Sequence, residues 1–135
     1  MDGYSRGGHT KYSLKVHIIL VTKYRKKLFV SNKKTEDIKQ FLYKATKKYG
    51  YMIIQMETDK DHVHILLEYN TKTSISDMVK KIKQYSTHQM WCYHGKYLSK
   101  HYWKHKILWS DGYFACSIGQ VSQDIIEKYI QNQGW

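Results

Sequence analysis

His62 and His64 stand on either side of Val63 in the stretch Tyr51 to Tyr69, YMIIQMETDKDHVHILLEY. Side chains two apart on a β-strand point to the same face, so both imidazoles would project together, about 7 Å apart along the strand. That spacing lets two ring nitrogens reach one metal ion. Val63, Ile65 and Leu67 face the other way, an apolar set suited to packing under helices. Two histidines at the end of a half-buried strand would show the same pattern, so the case rests on the rest of the chain.

A second set lies near the end of the chain. Val121, Ile125, Tyr129 and Gln133 are spaced by four. On a helix such steps drift by only about 40°, so the four share a face. The upper part of this ladder is apolar and can dock on a sheet; the lower part presents a phenol and then a carboxamide. An apolar stripe that happens to end in Tyr and Gln is the plain alternative. Joined to the histidines, the set has a chemical use. Two imidazoles and one amide oxygen bind a divalent ion and leave positions open for phosphate oxygens, with a tyrosine one helical turn away. A third feature is the basic run Thr22-Lys23-Tyr24-Arg25-Lys26-Lys27, which reads equally as a solvated loop or as phosphate contact through Lys23, Arg25 and Lys26. His101 and His105 are four apart, but no acidic partner or helical pattern supports a metal site there, and a solvated or packed pair is expected.

The elements that must position these residues can be read from periodicity. Residues 1–11 carry glycine and no period and are read as an arm. From Tyr12 to Val21 the pattern alternates, with Leu14, Val16, Ile18 and Leu20 on one face and Lys15, His17, Ile19 and Val21 on the other. A helix follows. It has Ser31-Asn32 at its start, Glu36 and Asp37 in its first turn, and Ile38, Phe41, Leu42, Ala45 and Tyr49 as its stripe. Gly50 terminates it. Tyr51 to Thr58 forms a hairpin with the histidine strand across Asp59-Lys60-Asp61. Ser74 to Asp77 has the form of a capping box, and Ile75, Met78, Val79 and Ile82 define a second helix to about Trp91. Cys92 to Lys106 is read as irregular connection. Ile107 to Trp109 and Tyr113 to Ser117 form a strand interrupted at Ser110-Asp111-Gly112, and a last helix starts near Ser122 within 121–135. The order βαββαβ plus a helix specifies an α+β, ferredoxin-like antiparallel sheet. Its helices pack on one face, which leaves the other face or one end for a ligand.

Composition narrows the class. The 135 residues carry a formal charge of +12, which implies a polyanionic partner, nucleic acid before an anionic membrane surface. One domain with a core of its own is expected at this length. No apolar run approaches the roughly 20 residues of a membrane span, and the start lacks the apolar core of a signal peptide. Cys92 and Cys116 are isolated, which fits a reducing, cytoplasmic setting. Thirteen tyrosines and four tryptophans, many beside lysines, suit stacking on unpaired bases as well as core packing.

The ordered set resembles the HUH-type single-tyrosine transposases of small insertion sequences, which move as single-stranded DNA. His17 to Arg25 (HIILVTKYR), Asp61 to Leu67 (DHVHILL) and Trp109 to Gly119 (WSDGYFACSIG), with Tyr129 and Gln133 behind them, carry the resemblance across nearly the whole chain. It implies a homodimer that binds hairpins at element ends in single-stranded DNA. Tyr129 would attack the scissile phosphate to give a 5′-phosphotyrosine and a free 3′-hydroxyl that later rejoins strands, with no nucleotide cofactor. His62, His64 and Gln133 would hold Mg²⁺ or Mn²⁺; of the two, Mn²⁺ suits imidazole ligands better. In the family the tyrosine helix can complete the partner's active site. Many members continue beyond the amide ligand, whereas two residues follow Gln133 here, so a short terminal helix is expected. Two other classes fit less of the sequence. A non-catalytic RNA-recognition-type module would carry strand aromatics in an RNP1 pattern, which is missing. A replication or relaxase nickase shares HUH chemistry but commonly sits in a larger chain, often with a third histidine or second tyrosine.

Overall fold

The structure, a computed structural model, describes residues 14–117 and 123–133. The expected arm, 1–11, and Val121 and Ser122 lie outside the described residues. Strand β1 (Leu14–Val21) leads through a single 3₁₀ turn at Lys23–Arg25 to helix α1 (Asn32–Tyr49). Strands β2 (Met52–Thr58) and β3 (His62–Tyr69) follow, then helix α2 (Ile75–Ser99), strand β4 (Phe114–Ser117) and helix α3 (Gln123–Gln131). The strands form one antiparallel sheet in the order β2-β3-β1-β4. This is the α+β arrangement that the element order specifies.

The alternation in β1 and β3 divides the sheet into two unlike faces. Val16, Ile18, Leu20, Val63, Ile65 and Leu67 are all 3% exposed or less, in a core shared with Ile38, Phe41 and Leu42 of α1 and Met78, Val79 and Ile82 of α2. On the opposite face Ile19 and Val21 are covered by Ile130 of α3. So α1 and α2 occupy one side of the sheet, and α3 the other.

Local chemistry explains the helix limits. Ser31 accepts a hydrogen bond from the Lys34 amide at the start of α1, and Gly50 ends it at φ 83°, a left-handed position that glycine adopts without a Cβ clash. Glu36 and Asp37 fall in the second turn rather than the first. Asp37 instead binds His94 of α2 at 2.7 Å, and that contact together with Lys33 holds its carboxyl below the usual range against the opposing effect of burial. In α2 Ser74 accepts from the Asp77 amide, as its capping sequence requires.

The main correction concerns 92–106. Helix α2 does not stop near Trp91 but runs to Ser99, with a kink at His94 (φ −131°, ψ 34°). Side chains with polar ends serve as its inner face there. Trp91 Nε1 donates to the Ile107 carbonyl at 2.9 Å and Tyr97 Oη to that of Leu28 at 2.8 Å. Such residues carry no apolar period, and the kink resets the phase, so the helix is concealed in the sequence. The interrupted fourth strand is observed as two separate pairings, one with β1 and one with Thr22 just beyond it. Phe114 to Ser117 ladders with Ile19 to Val16, and Trp109 forms an isolated bridge with Thr22. Between them Lys83 of α2 donates to the carbonyls of Ser110 and Gly112, which fixes that loop.

Candidate active site

Strand β3 sets His62 opposite Val21 and His64 opposite Ile19, so both imidazoles lie on the α3 side of the sheet, half-buried, as their spacing requires. His62 Nδ1 is 2.9 Å from Asp61 Oδ1, and the other carboxylate oxygen is 3.4 Å from Nε of Arg25. Asp61 is itself buried, and its carbonyl accepts from the Thr22 amide at 2.9 Å. A carboxylate that accepts from Nδ1–H fixes the ring orientation and leaves Nε2 with the lone pair that a metal or a proton would use. The end of β1, the basic turn and the first histidine are thus one connected unit.

His64 has a partner that strand spacing alone does not reveal. Its Nε2 lies 3.0 Å from Nδ1 of His17, with ring centroids 5.1 Å apart, and its Nδ1 is 3.9 Å from Glu57. In such a pair one ring donates and the other accepts. Burial first, then the neighbouring His17 and His62, pushes the His64 imidazole below its ordinary value against the pull of Glu57. The ring is therefore neutral at pH 7, the form in which imidazole ligates metal. His17 is a site residue that sequence reasoning missed. The signal was there, because β1 and β3 adjoin in a split βαβ sheet and His17 shares the face of Ile19.

Helix α3 docks differently from the four-spaced ladder. The residue that seals it is Ile130, 8% exposed, against Ile19 and Val21, whereas Ile125 is 43% exposed. Tyr129 packs its ring 5.5 Å from that of Phe114, and burial pushes its phenol up to about 12. The helix ends at Gln131, so Gln133 is in the following turn rather than on the helix. Its amide oxygen accepts from Ser110 Oγ at 3.3 Å. A cavity of about 440 Å³ lies between α3 and the start of β3, with Arg25, Asp61 and His62 on one side and Glu127, Ile130 and Gln131 on the other. Tyr129 sits on the Phe114 side of the helix instead.

No three His, Cys, Asp or Glu side chains converge on one point among the described residues. A metal here would therefore use His62 Nε2, a His64 nitrogen released from His17 or Glu57, and an amide oxygen such as that of Gln133. Two imidazoles and an amide oxygen suit Mn²⁺ better than oxygen-preferring Mg²⁺. Of the three basic residues read as phosphate contacts, Arg25 alone is brought to the histidines, through Asp61. Lys23 pairs with Asp111 at 3.4 Å and lies 5.4 Å from the centre of the Tyr24 ring, Arg25 reaches Asp61, and the Lys26 carbonyl accepts from Thr22 Oγ1 at 2.7 Å. Among the described residues no helix is long and apolar enough to cross a membrane.

Residues 10–133 match the family model described as "Transposase IS200 like". The chain belongs to the IS200-like transposase family. The ISDra2 transposase TnpA of Deinococcus radiodurans is 30% identical over 122 residues, which are 90% of this chain and 85% of that protein. The IS200 transposase of Salmonella typhimurium is 28% identical over 93% of this chain and 80% of its own length. A crystal structure from Deinococcus radiodurans R1, assigned as a transposase, superposes with a TM-score of 0.83 at 28% identity, covering 98% of this chain and 95% of the other. A REP-associated tyrosine transposase bound to a REP hairpin shares the fold, with a TM-score of 0.54 at 12% identity over 98% of this chain and 70% of its own. The IS200-like chain is thus a DNA-processing enzyme, a DNA transposase, and the polyanion its charge calls for is DNA.

Proposed function

We propose that this IS200-like transposase cuts and rejoins single-stranded DNA at hairpin ends through a covalent bond to Tyr129. The observation that carries the reading is the sheet face itself. His62 and His64 project from it beside a basic turn, under a helix that bears a tyrosine. The hairpin bound by the REP-associated transposase supports the same class of substrate.

In the cleavage step the Tyr129 oxygen forms a bond to phosphorus and the bond to the 3′ oxygen breaks. The product is a 5′-phosphotyrosine and a 3′-hydroxyl; the phenolic proton departs and the 3′ oxygen gains one. Attack by a 3′-hydroxyl on the phosphotyrosine reverses the step and joins strands, so no nucleotide cofactor is consumed. A divalent ion, Mg²⁺ or Mn²⁺, held by His62, His64 and Gln133 would polarise the phosphate. Asp61 keeps His62 Nε2 turned outward, and burial keeps His64 neutral. Lys23, Arg25 and Lys26 bind backbone phosphates next to the scissile one.

Where Tyr129 rests against Phe114, a phenol at about 12 leaves only about one molecule in 10⁵ as phenolate at pH 7. Burial there disfavours the nucleophilic phenolate, and the tyrosine acts once its helix leaves that nest. A homodimer in which one subunit's α3 serves the partner's histidines accommodates such an exchange.

Single-stranded oligonucleotides that cover the DNA flanking the gene, incubated with Mn²⁺ and run on a denaturing gel, test the reading. A protein–DNA adduct that resists denaturation and is lost in Tyr129→Phe, with hairpin binding retained, is the expected result. Adduct formation that persists in Tyr129→Phe removes that residue from the mechanism.

A further inference from the structure

Beside the proposed active site lies a second cavity, of about 310 Å³, walled by Tyr24, Tyr102, Trp103, His101 and His105 and bordered by Lys104. Its walls are unlike a core. Trp103 is 76% exposed and Tyr24 54%, although indole and phenol rings are among the side chains that gain most from burial. Tyr102 is the fixed back wall: it is buried, and its hydroxyl donates to the Lys23 carbonyl at 2.6 Å. Tyr24 faces it with ring centroids 6.4 Å apart.

The turn that carries Tyr24 is strained. Tyr24 and Arg25 both adopt left-handed backbone angles, φ 61° and 53°, where a side chain with a Cβ is disfavoured. Such outliers persist where surrounding contacts hold them and collect at functional sites. Here the strain has a geometric result. Consecutive residues send Tyr24 to the aromatic cavity and Arg25 to Asp61 and thus to His62. The surroundings are cationic: Lys23 lies 5.4 Å from the Tyr24 ring centre, and His101 is lowered by burial first and then by the charges of Lys26 and Lys100.

We propose that this cavity is a stacking slot for one unpaired base of the DNA strand, placed so that the neighbouring backbone crosses the Lys23–Lys26 turn toward His62. The proposal deepens the function proposed above and rests on it. A volume at the lower end of the range for ligand pockets admits a single planar ring system, and exposed aromatic rings beside lysines match a base and its phosphate together. A protein partner of similar apolar character would offer Lys104 and Lys26 no phosphate charge. The aromatics also accept any base by its face, so the slot sets spacing rather than sequence.

The test uses the full chain and a hairpin oligonucleotide with a single-stranded flank, in which 2-aminopurine replaces one flanking base at a time, before metal is added. Binding is expected to quench one position strongly. Trp103→Ala, a change at an exposed side chain, should abolish that quench and weaken binding of the flank about tenfold, and Trp103→Phe should restore most of both. Tyr24→Gly, which relieves the backbone strain while removing the ring, should act like Trp103→Ala. DNA binding with the same quench profile and affinity in all three variants as in the parent would overturn the slot while leaving the transposase reading intact. If the parent chain bound neither hairpin nor flank, the proposed hairpin substrate would fail, and the slot with it.

Discussion

The two faces of the sheet are built from the same strands and do opposite things. Against α1 and α2, the central parts of β1 and β3 present branched aliphatic side chains closed from water, Val16, Ile18, Leu20, Val63, Ile65 and Leu67. One residue along each strand, the other face carries His17, His62 and His64, and α3 lies over Ile19 and Val21, the cross-strand partners of His64 and His62. The alternation of a β-strand thus fixes the histidines by means of the core beneath them. A register slip of one residue would bury the imidazoles and expose Val63, Ile65 and Leu67. Stability is concentrated on one face, so the other can hold polar groups in half-buried positions that a core would not tolerate.

Substitutions on the two faces should separate chemistry from stability. The largest effect is expected from His64→Ala, which should nearly eliminate cleavage and its response to Mn²⁺ while changing stability by less than about 1 kcal/mol. Unchanged metal dependence would contradict the role given to His64. Leu67→Ala, three residues along β3 and fully buried, should cost about 2–5 kcal/mol in denaturant unfolding, seen as a lower midpoint at similar slope. A neutral Leu67→Ala would mean that the closed face is not what fixes the strand. Asp61→Asn tests the link between the faces and the basic turn. It should weaken Mn²⁺ binding by roughly 10- to 100-fold, read by titration without DNA, because His62 loses its carboxylate partner. An unaltered Mn²⁺ titration would show that Asp61 serves the turn and not the histidine. The smallest effect belongs to the basic turn. Lys26→Ala should weaken binding of all DNA sequences alike and reduce the slope of log affinity against log salt by about one.

Much of this was legible in the sequence, for a physical reason. The element order, α1 with its serine and glycine limits, and the shared face of His62 and His64 all follow from periods of 3.6 and 2.0 and from caps that act within a few residues. What escaped depends on contacts distant in sequence. His17 meets His64 across 47 residues, and the second half of α2 is held by the buried Met90 and Leu98 together with hydrogen bonds from Trp91, His94 and Tyr97 to Ile107, Asp37 and Leu28, a set with no regular apolar period. Helix α3 shows the limit most clearly. The four-spaced ladder through Ile125 and Tyr129 is regular, but Ile130, one position after Tyr129, is the buried residue on Ile19 and Val21, with Tyr129 partly buried beside it and Ile125 exposed. Two apolar rows on a short helix leave the docking face to the sheet. The strained turn could not be read either, because neither Tyr24 nor Arg25 is a residue type that favours positive φ.

The central claim is that one tyrosine of thirteen becomes the covalent attachment point for DNA. Nuclease digestion of the Mn²⁺-dependent adduct, followed by proteolysis and mass spectrometry of the nucleotide-bearing peptide, tests it directly. The account predicts a residual nucleotide on Tyr129, in the peptide from the last helix. Attachment to any other tyrosine, Tyr24 of the strained turn included, would contradict it.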